Sequence, residues 1–195
     1  MILKKFSNIY KSSAVVSFWT MISRILGYVR DILFAAILGS GPIAEAFIIA
    51  FRIPNLFRRF FAEGAFSAAF IPLLASTNNK FGKSMGLDFT ANIASILLFT
   101  ILPLIILAEI FMPQIILLIA PGFIDNLDRL ELAVPYAKII FPYLIFIVFT
   151  ALFAASLNTN DNFWSGAATP AILNIFLIIA LIASLKFKLE TGIII

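Results

Sequence analysis

The sequence predicts an all-α polytopic membrane protein, a bundle of about five complete transmembrane helices plus the start of a sixth. Three observations predict it. Hydrophobic residues make up 62% of the chain and charged residues 12%, about half the charge fraction of a soluble domain. Several apolar runs exceed the ~20 residues a helix needs to cross hydrocarbon. These runs are continuous, unlike the short alternating segments of a membrane barrel.

The elements follow in order. Residues 1–11 form a short basic, amphipathic lead-in. Helix one runs from about 12 to 38 and is stopped by Gly39-Ser40-Gly41-Pro42, with Gly as a helix stop and Pro as the next start. It is a retained helix and not a cleavable signal, because Arg24 and Arg30 interrupt its apolar stretch. Helix two, about 43–75, is too long for a perpendicular span, and Pro54 supplies a break point. Ser76–Gly86 is a polar loop. Helix three covers about 87–111, with a kink at Pro103. The run MPQIILLIAPGF, within residues 112–129, is too short to span; it lies along the interface and turns at Pro121-Gly122. Helix four covers about 130–157. The Asn-rich loop 158–162 and the interface residue Trp164 precede helix five, about 165–185. Gly192 opens a sixth helix.

Lys4, Lys5, Lys11, Lys80 and Lys83 fall on one side in this threading, which places the N-terminus in the cytoplasm. Lys186 and Lys188 run against that rule. With no Cys and no His, disulfides, zinc sites of the Cys/His type and His or Cys catalysis are excluded. The net charge of +4 is scattered through apolar sequence, so it is no nucleic-acid footprint. No phosphate loop, nucleotide fingerprint or acid/base constellation is present, and no cofactor or metal is implied.

The stretch Ser23–Pro72 holds the unusual chemistry. Arg24, Arg30, Arg52, Arg58 and Arg59 sit there with only Asp31, Glu45 and Glu63 as acids. A charge in hydrocarbon costs roughly 2.5–3.5 kcal/mol on insertion scales, so such residues mark function by default. The threading puts Arg24 and Arg52 near mid-membrane, Arg30 further out, and Arg58, Arg59 and Glu63 near the cytoplasmic mouth. Arg24 and Asp31 share a face of helix one, with Arg30 about 120° away. Glu45, Arg52, Arg59 and Glu63 lie within about 40° of one another on helix two. Excess arginine implies an anionic ligand, and the guanidinium fork suits phosphate. The bland alternatives are a structural Arg59–Glu63 pair at i,i+4, an Arg52–Glu45 pair, and Arg58 and Arg59 snorkelling to headgroups. Asn174 reads as an interhelical hydrogen-bond partner. Gly64-Ala65 and Ser67-Ala68-Ala69 read as a close-packing small-residue face. The phenylalanines read as lipid-facing bulk.

SRILGYVRD (Ser23–Asp31) and AEAFIIAFRIPNLFRRFFAEGAFSAAFIP (Ala44–Pro72), with IAPGF (Ile119–Phe123) and SLNTNDNF (Ser156–Phe163), resemble the MurJ (MviN) family of bacterial lipid II flippases. The resemblance runs from about residue 12 to the end of the chain. It implies the amino-terminal lobe of a two-lobed exporter fold, with helices around a cationic cavity in the bacterial inner membrane. It also implies transport, without catalysis, of the undecaprenyl-pyrophosphate-linked disaccharide-peptide to the periplasmic leaflet for cell-wall synthesis. The family's essential cavity arginines fall on Arg24, Arg30 and Arg58. Arg52 stands where some members carry Lys, and Glu45 where many carry Asp; Asp31 matches the acid beside the second arginine. By position, Asp31 and Glu45 would orient arginines and gate, with Arg59 and Glu63 as a further charge pair. The implied partners are lipid II, membrane lipids and a carboxy-terminal lobe beyond residue 195, without which an amino-terminal portion would not transport alone. The rival readings are another lipid-linked oligosaccharide flippase of the superfamily and a non-transporting membrane scaffold.

Overall fold

Long apolar runs with good helix formers leave the backbone no partner in hydrocarbon except itself, and among the described residues every regular element is a helix. The computed structural model describes residues 2–39, 41–62 and 65–187, all helices and short turns. In order they are α1 (Ile2–Leu38), α2 (Pro42–Ala62), α3 (Ala65–Phe81), α4 (Lys83–Ile110), α5 (Met112–Ile119), a 3₁₀ turn (Pro121–Phe123), α6 (Leu127–Ile140), α7 (Tyr143–Asn158) and α8 (Trp164–Phe187). Among the described residues, Lys83–Ile110, Leu127–Asn158 and Trp164–Leu185 are long and apolar enough to cross a membrane. The second half of α1 carries Arg24, Arg30 and Asp31 in otherwise apolar sequence.

Several boundaries differ from the sequence expectation. The basic lead-in is not separate: α1 is helical from Ile2. Helix two is divided, and not at Pro54. That proline lies buried inside α2, which continues to Ala62 before α3 begins at Ala65. The polar segment 76–86 is helix on both sides of Gly82. One of its hydroxyls returns to the backbone: Thr77 Oγ1 donates to the Leu73 carbonyl at 3.0 Å. The chain reverses at Gly82 alone, with φ 86° and ψ 168°, a region that only glycine occupies without strain. Helix four is one candidate span, Leu127–Asn158, interrupted at Phe141-Pro142 into α6 and α7. Pro142 has no N–H to offer the carbonyl one turn back. The backbone tightens there to i→i+3 bonds, with Leu144 N donating to Phe141 O at 3.0 Å and Ile145 N to Pro142 O at 3.1 Å. Pro103 and Pro170 stay within their helices. At the end of α1, Gly39 takes φ 66° and its N–H donates to the Ala35 carbonyl, the expected glycine stop, and Pro42 opens α2. The opening of a sixth helix at Gly192 lies outside the described residues.

The chain divides into two compact units, Met1–Gly39 with Ala154–Ile194, and Ser40–Phe153. In the first, α8 packs along α1. α8 buries the stripe Ala168, Ala171, Asn174, Leu181 and Ser184. On α1, Trp19, Ile22, Ser23, Leu26, Gly27, Arg30, Leu33 and Phe34 are half-buried at the three-to-four spacing of one helix face.

In the second unit, α2 packs on α6. Their seam is made of alanines. Ala46 and Ala50 on α2, and Ala133 and Ala137 on α6, are each at most 1% exposed. Side chains this small let the two backbones approach closely, where lipid provides no hydrophobic drive to pair helices. Met112 and Ile116 of α5 and Phe123 of the 3₁₀ turn belong to the same buried core. The sequence-predicted small-residue face is not this seam: Ala68 and Ala69 are exposed, and Gly64 lies outside the described residues. Nor are the phenylalanines all lipid-facing. Phe47 stacks on Phe51 and Phe51 on Tyr143, while buried Phe141 meets Phe57 edge-on.

Candidate functional site

The charged residues fall into two groups, one in each unit. In the first unit the helical angles separate the two arginines of α1 as the sequence indicated. Arg24 and Asp31 are exposed, whereas Arg30 lies on the half-buried face. A long helical side chain leans back toward the helix N-terminus. Arg30 follows that direction, and its guanidinium meets two partners. Asp31 Oδ1 accepts from Arg30 Nε at 3.0 Å and from Nη2 at 2.7 Å. Asn174 Oδ1, on α8, accepts from Arg30 Nη1 at 2.8 Å. The Asn174 amide in turn donates from Nδ2 to the Ser23 carbonyl at 3.0 Å. Asn174 is therefore the interhelical partner expected of it, and an arginine is what it holds.

Asp31 pairs with Arg30 and not with Arg24, although Arg24 shares its face. Seven residues along a helix is about 10 Å, and the neighbouring guanidinium reaches round first. Arg24 has no ion-pair partner among the described residues. It borders a shallow hollow of about 300 Å³ lined by Val16, Ser17, Thr20 and Met21. Among the described residues, Arg30 thus has two fixed acceptors and Arg24 none, about two turns apart on α1.

In the second unit the Arg52–Glu45 pair, one of the alternatives to a ligand role, does not form. Two helical turns separate them, about 10 Å along the axis. Glu45 instead meets Arg129 of α6, with Nη1 2.7 Å from Oε2. Sequence reasoning missed Arg129. The available signal was its place at the start of α6, on the same membrane side as the start of α2 in the predicted threading. Asn126 caps that start, its side chain accepting from the Arg129 N–H at 3.3 Å.

Arg52 and Arg59 are exposed and without an ion-pair partner among the described residues. Arg58 is half-buried; its Nε donates a long bond to Asn55 Oδ1 at 3.4 Å, and it lies within electrostatic reach of Tyr143. The Arg59–Glu63 pair falls outside the described residues at Glu63. The second unit thus presents Arg52, Arg58 and Arg59 along the C-terminal half of α2. No group of three or more metal-ligating side chains converges among the described residues.

Comparison with known proteins bears on this arrangement. A family profile described as lipid II flippase MurJ matches residues 34–191. The probable lipid II flippase MurJ of Rhizobium tropici is 40% identical over 181 residues, covering 92% of this chain and 34% of its own length. That of Rickettsia prowazekii is 42% identical over 174 residues, covering 88% of this chain and 34% of its own. The lipid II flippase MurJ of Burkholderia cenocepacia is 35% identical over 173 residues, covering 89% of this chain and 34% of its own. A solved structure of lipid II flippase MurJ in an inward closed conformation superposes with a TM-score of 0.78 at 36% identity, over 93% of this chain and 37% of that one. The chain spans about a third of the length of the curated relatives it matches.

Proposed function

We propose that this chain, which belongs to the lipid II flippase MurJ family, serves as the amino-terminal part of a flippase in the bacterial inner membrane. The flippase moves lipid II, the undecaprenyl-pyrophosphate-linked precursor of the cell wall, from the cytoplasmic to the periplasmic leaflet. The observation that carries the reading is Arg30: a guanidinium on an apolar helix, held by Asp31 and Asn174 in a fixed posture. An arginine kept only for structure would have its donors consumed by the protein. This one is oriented and still partly open to its surroundings, as an anion-binding group must be.

Arg24, Arg30, Arg52 and Arg58 engage the pyrophosphate and the anionic peptide of the substrate. Asp31 orients Arg30, while Glu45, Arg59 and Glu63 balance charge and gate. The N-terminus lies in the cytoplasm, on the side of Lys80 and Lys83. No covalent bond is made or broken, so the residues bind, orient and release. The lipid tail and the second wall of the transport path belong to a further lobe. Headgroup passage follows from alternating exposure of the arginines to the two faces of the membrane.

The test is complementation by the full-length protein in cells depleted of their own flippase. Arg24→Ala and Arg30→Ala are each expected to abolish growth at normal membrane levels. If both support growth, the anion-binding reading fails.

A further inference from the structure

We propose that Asn174 is a positioning residue for Arg30, aiming its free N–H groups at a phosphate of the substrate. The inference rests on the reading of Arg30 as an anion-binding group and adds to it a residue on a different helix.

The argument begins with cost. An amide transferred into an apolar environment without partners costs several kcal/mol, roughly 2–7 depending on the reference. Asn174 lies in the middle of apolar α8 and is 6% exposed. Both ends of its amide are satisfied by α1. The orientation is forced by chemistry. Arg30 offers only donors and the Ser23 carbonyl only an acceptor, so Oδ1 must face the arginine and Nδ2 the carbonyl. Gly27 makes room for this contact. A β-carbon at Gly27 would lie 3.5 Å from Asn174 Nδ2, an ordinary contact, so a methyl group fits there while a β-branched side chain, with two atoms beyond the β-carbon, crowds the amide.

Donor counting shows what the arrangement leaves. A guanidinium has five N–H groups. Asp31 takes those of Nε and Nη2, and Asn174 takes one of Nη1. Among the described residues no acceptor takes the second N–H of either terminal nitrogen, and the side chain is 29% exposed. Donors on both terminal nitrogens are the groups a guanidinium uses when its end meets two oxygens of one phosphate. Without Asn174 the guanidinium is held along a single edge and can swing about it.

The neutrality of the amide matters as much as its position. Arg30 and Asp31 already balance one another in charge. A carboxylate at position 174 would keep the acceptor oxygen and nearly the same shape, yet leave the group net negative before an incoming anion.

The experiment uses full-length protein purified in detergent, with lipid II binding and thermal unfolding measured side by side. Asn174→Ala is expected to weaken lipid II binding about tenfold, the equivalent of one hydrogen bond to a charged group. Asn174→Asp is expected to weaken it further and also to lower the unfolding temperature, because its second oxygen has no proton for the Ser23 carbonyl. In an Arg30→Ala background, Asn174→Ala is expected to add nothing, since its effect passes through the arginine. Gly27→Val, which displaces the amide from the α1 side, should act like Asn174→Ala and covers the case in which a position-174 variant does not fold. Wild-type binding by Asn174→Ala and Asn174→Asp, with binding lost in Arg30→Ala, overturns the role of Asn174 alone. Additive losses in the double variant overturn it too, as the mark of a merely structural contact. Wild-type binding by Arg30→Ala overturns the anion-binding reading itself.

Discussion

Replacing Ala50 with leucine tests the seam on which the second unit is built. Ala50 is 1% exposed and lies on α2 between Ala46 and Ile53, on the face that meets Ala133 and Ala137 of α6. Leucine adds three heavy atoms where the backbones are already close. In a water-soluble core, burying them would return about 0.8 kcal/mol per methylene and offset part of the strain. In a bilayer that return vanishes, because a leucine facing lipid is as well solvated as one between helices. The overpacking term, about 1–3 kcal/mol, therefore stands nearly unopposed, and we expect a loss toward its upper end. The control is Ala68→Leu on α3, an exposed position, expected to change stability by less than about 0.5 kcal/mol. Thermal unfolding of both variants in detergent, followed by circular dichroism, measures the difference. Equal losses at the two positions would refute the assignment of the seam to Ala46, Ala50, Ala133 and Ala137.

Two further outcomes follow from local geometry. Gly82→Ala is expected to cost about 1–3 kcal/mol in the same unfolding assay, from backbone strain alone, because no atom lies within 4 Å of the added β-carbon. For Glu45 and Arg129, each 41% exposed, a double-mutant cycle with Glu45→Gln and Arg129→Gln is expected to give a coupling below about 1 kcal/mol. A larger value would show that the pair is shielded from solvent in the assembled protein.

The sequence was most legible where one residue decides the outcome. Gly39 ended α1 and Pro42 began α2 because a positive φ and a missing N–H act locally. The angular split between Arg24 and Arg30 followed from helical periodicity, and burial agrees with it. Prolines were less legible. Pro142 interrupts a helix whereas Pro54 does not, since the outcome depends on what packs around the lost bond, and Pro54 is buried. The polar run before Gly82 misled because hydroxyl groups can return their hydrogen bonds to the preceding helical turn. Arg129 and Asn174 were the hardest to place in the site, because their partners come from another helix. Pairing within Ser23–Pro72 drew attention to Arg52 for Glu45, when the nearer cation in space came from α6.

The two tethers of Arg30 also differ in when they arise. Asp31 is its immediate neighbour, but Asn174 follows 144 residues later. At a synthesis rate of about 5–20 residues per second, that interval is about 7–30 s. On the proposed membrane placement of α1, the nascent helix enters the bilayer with Arg30 accompanied only by the adjoining carboxylate, a pair made in the same moment and able to travel together. The amide arrives once the arginine is already in place. Insertion and final posture are consequently assigned to different partners, the first local and ionic, the second distant and neutral.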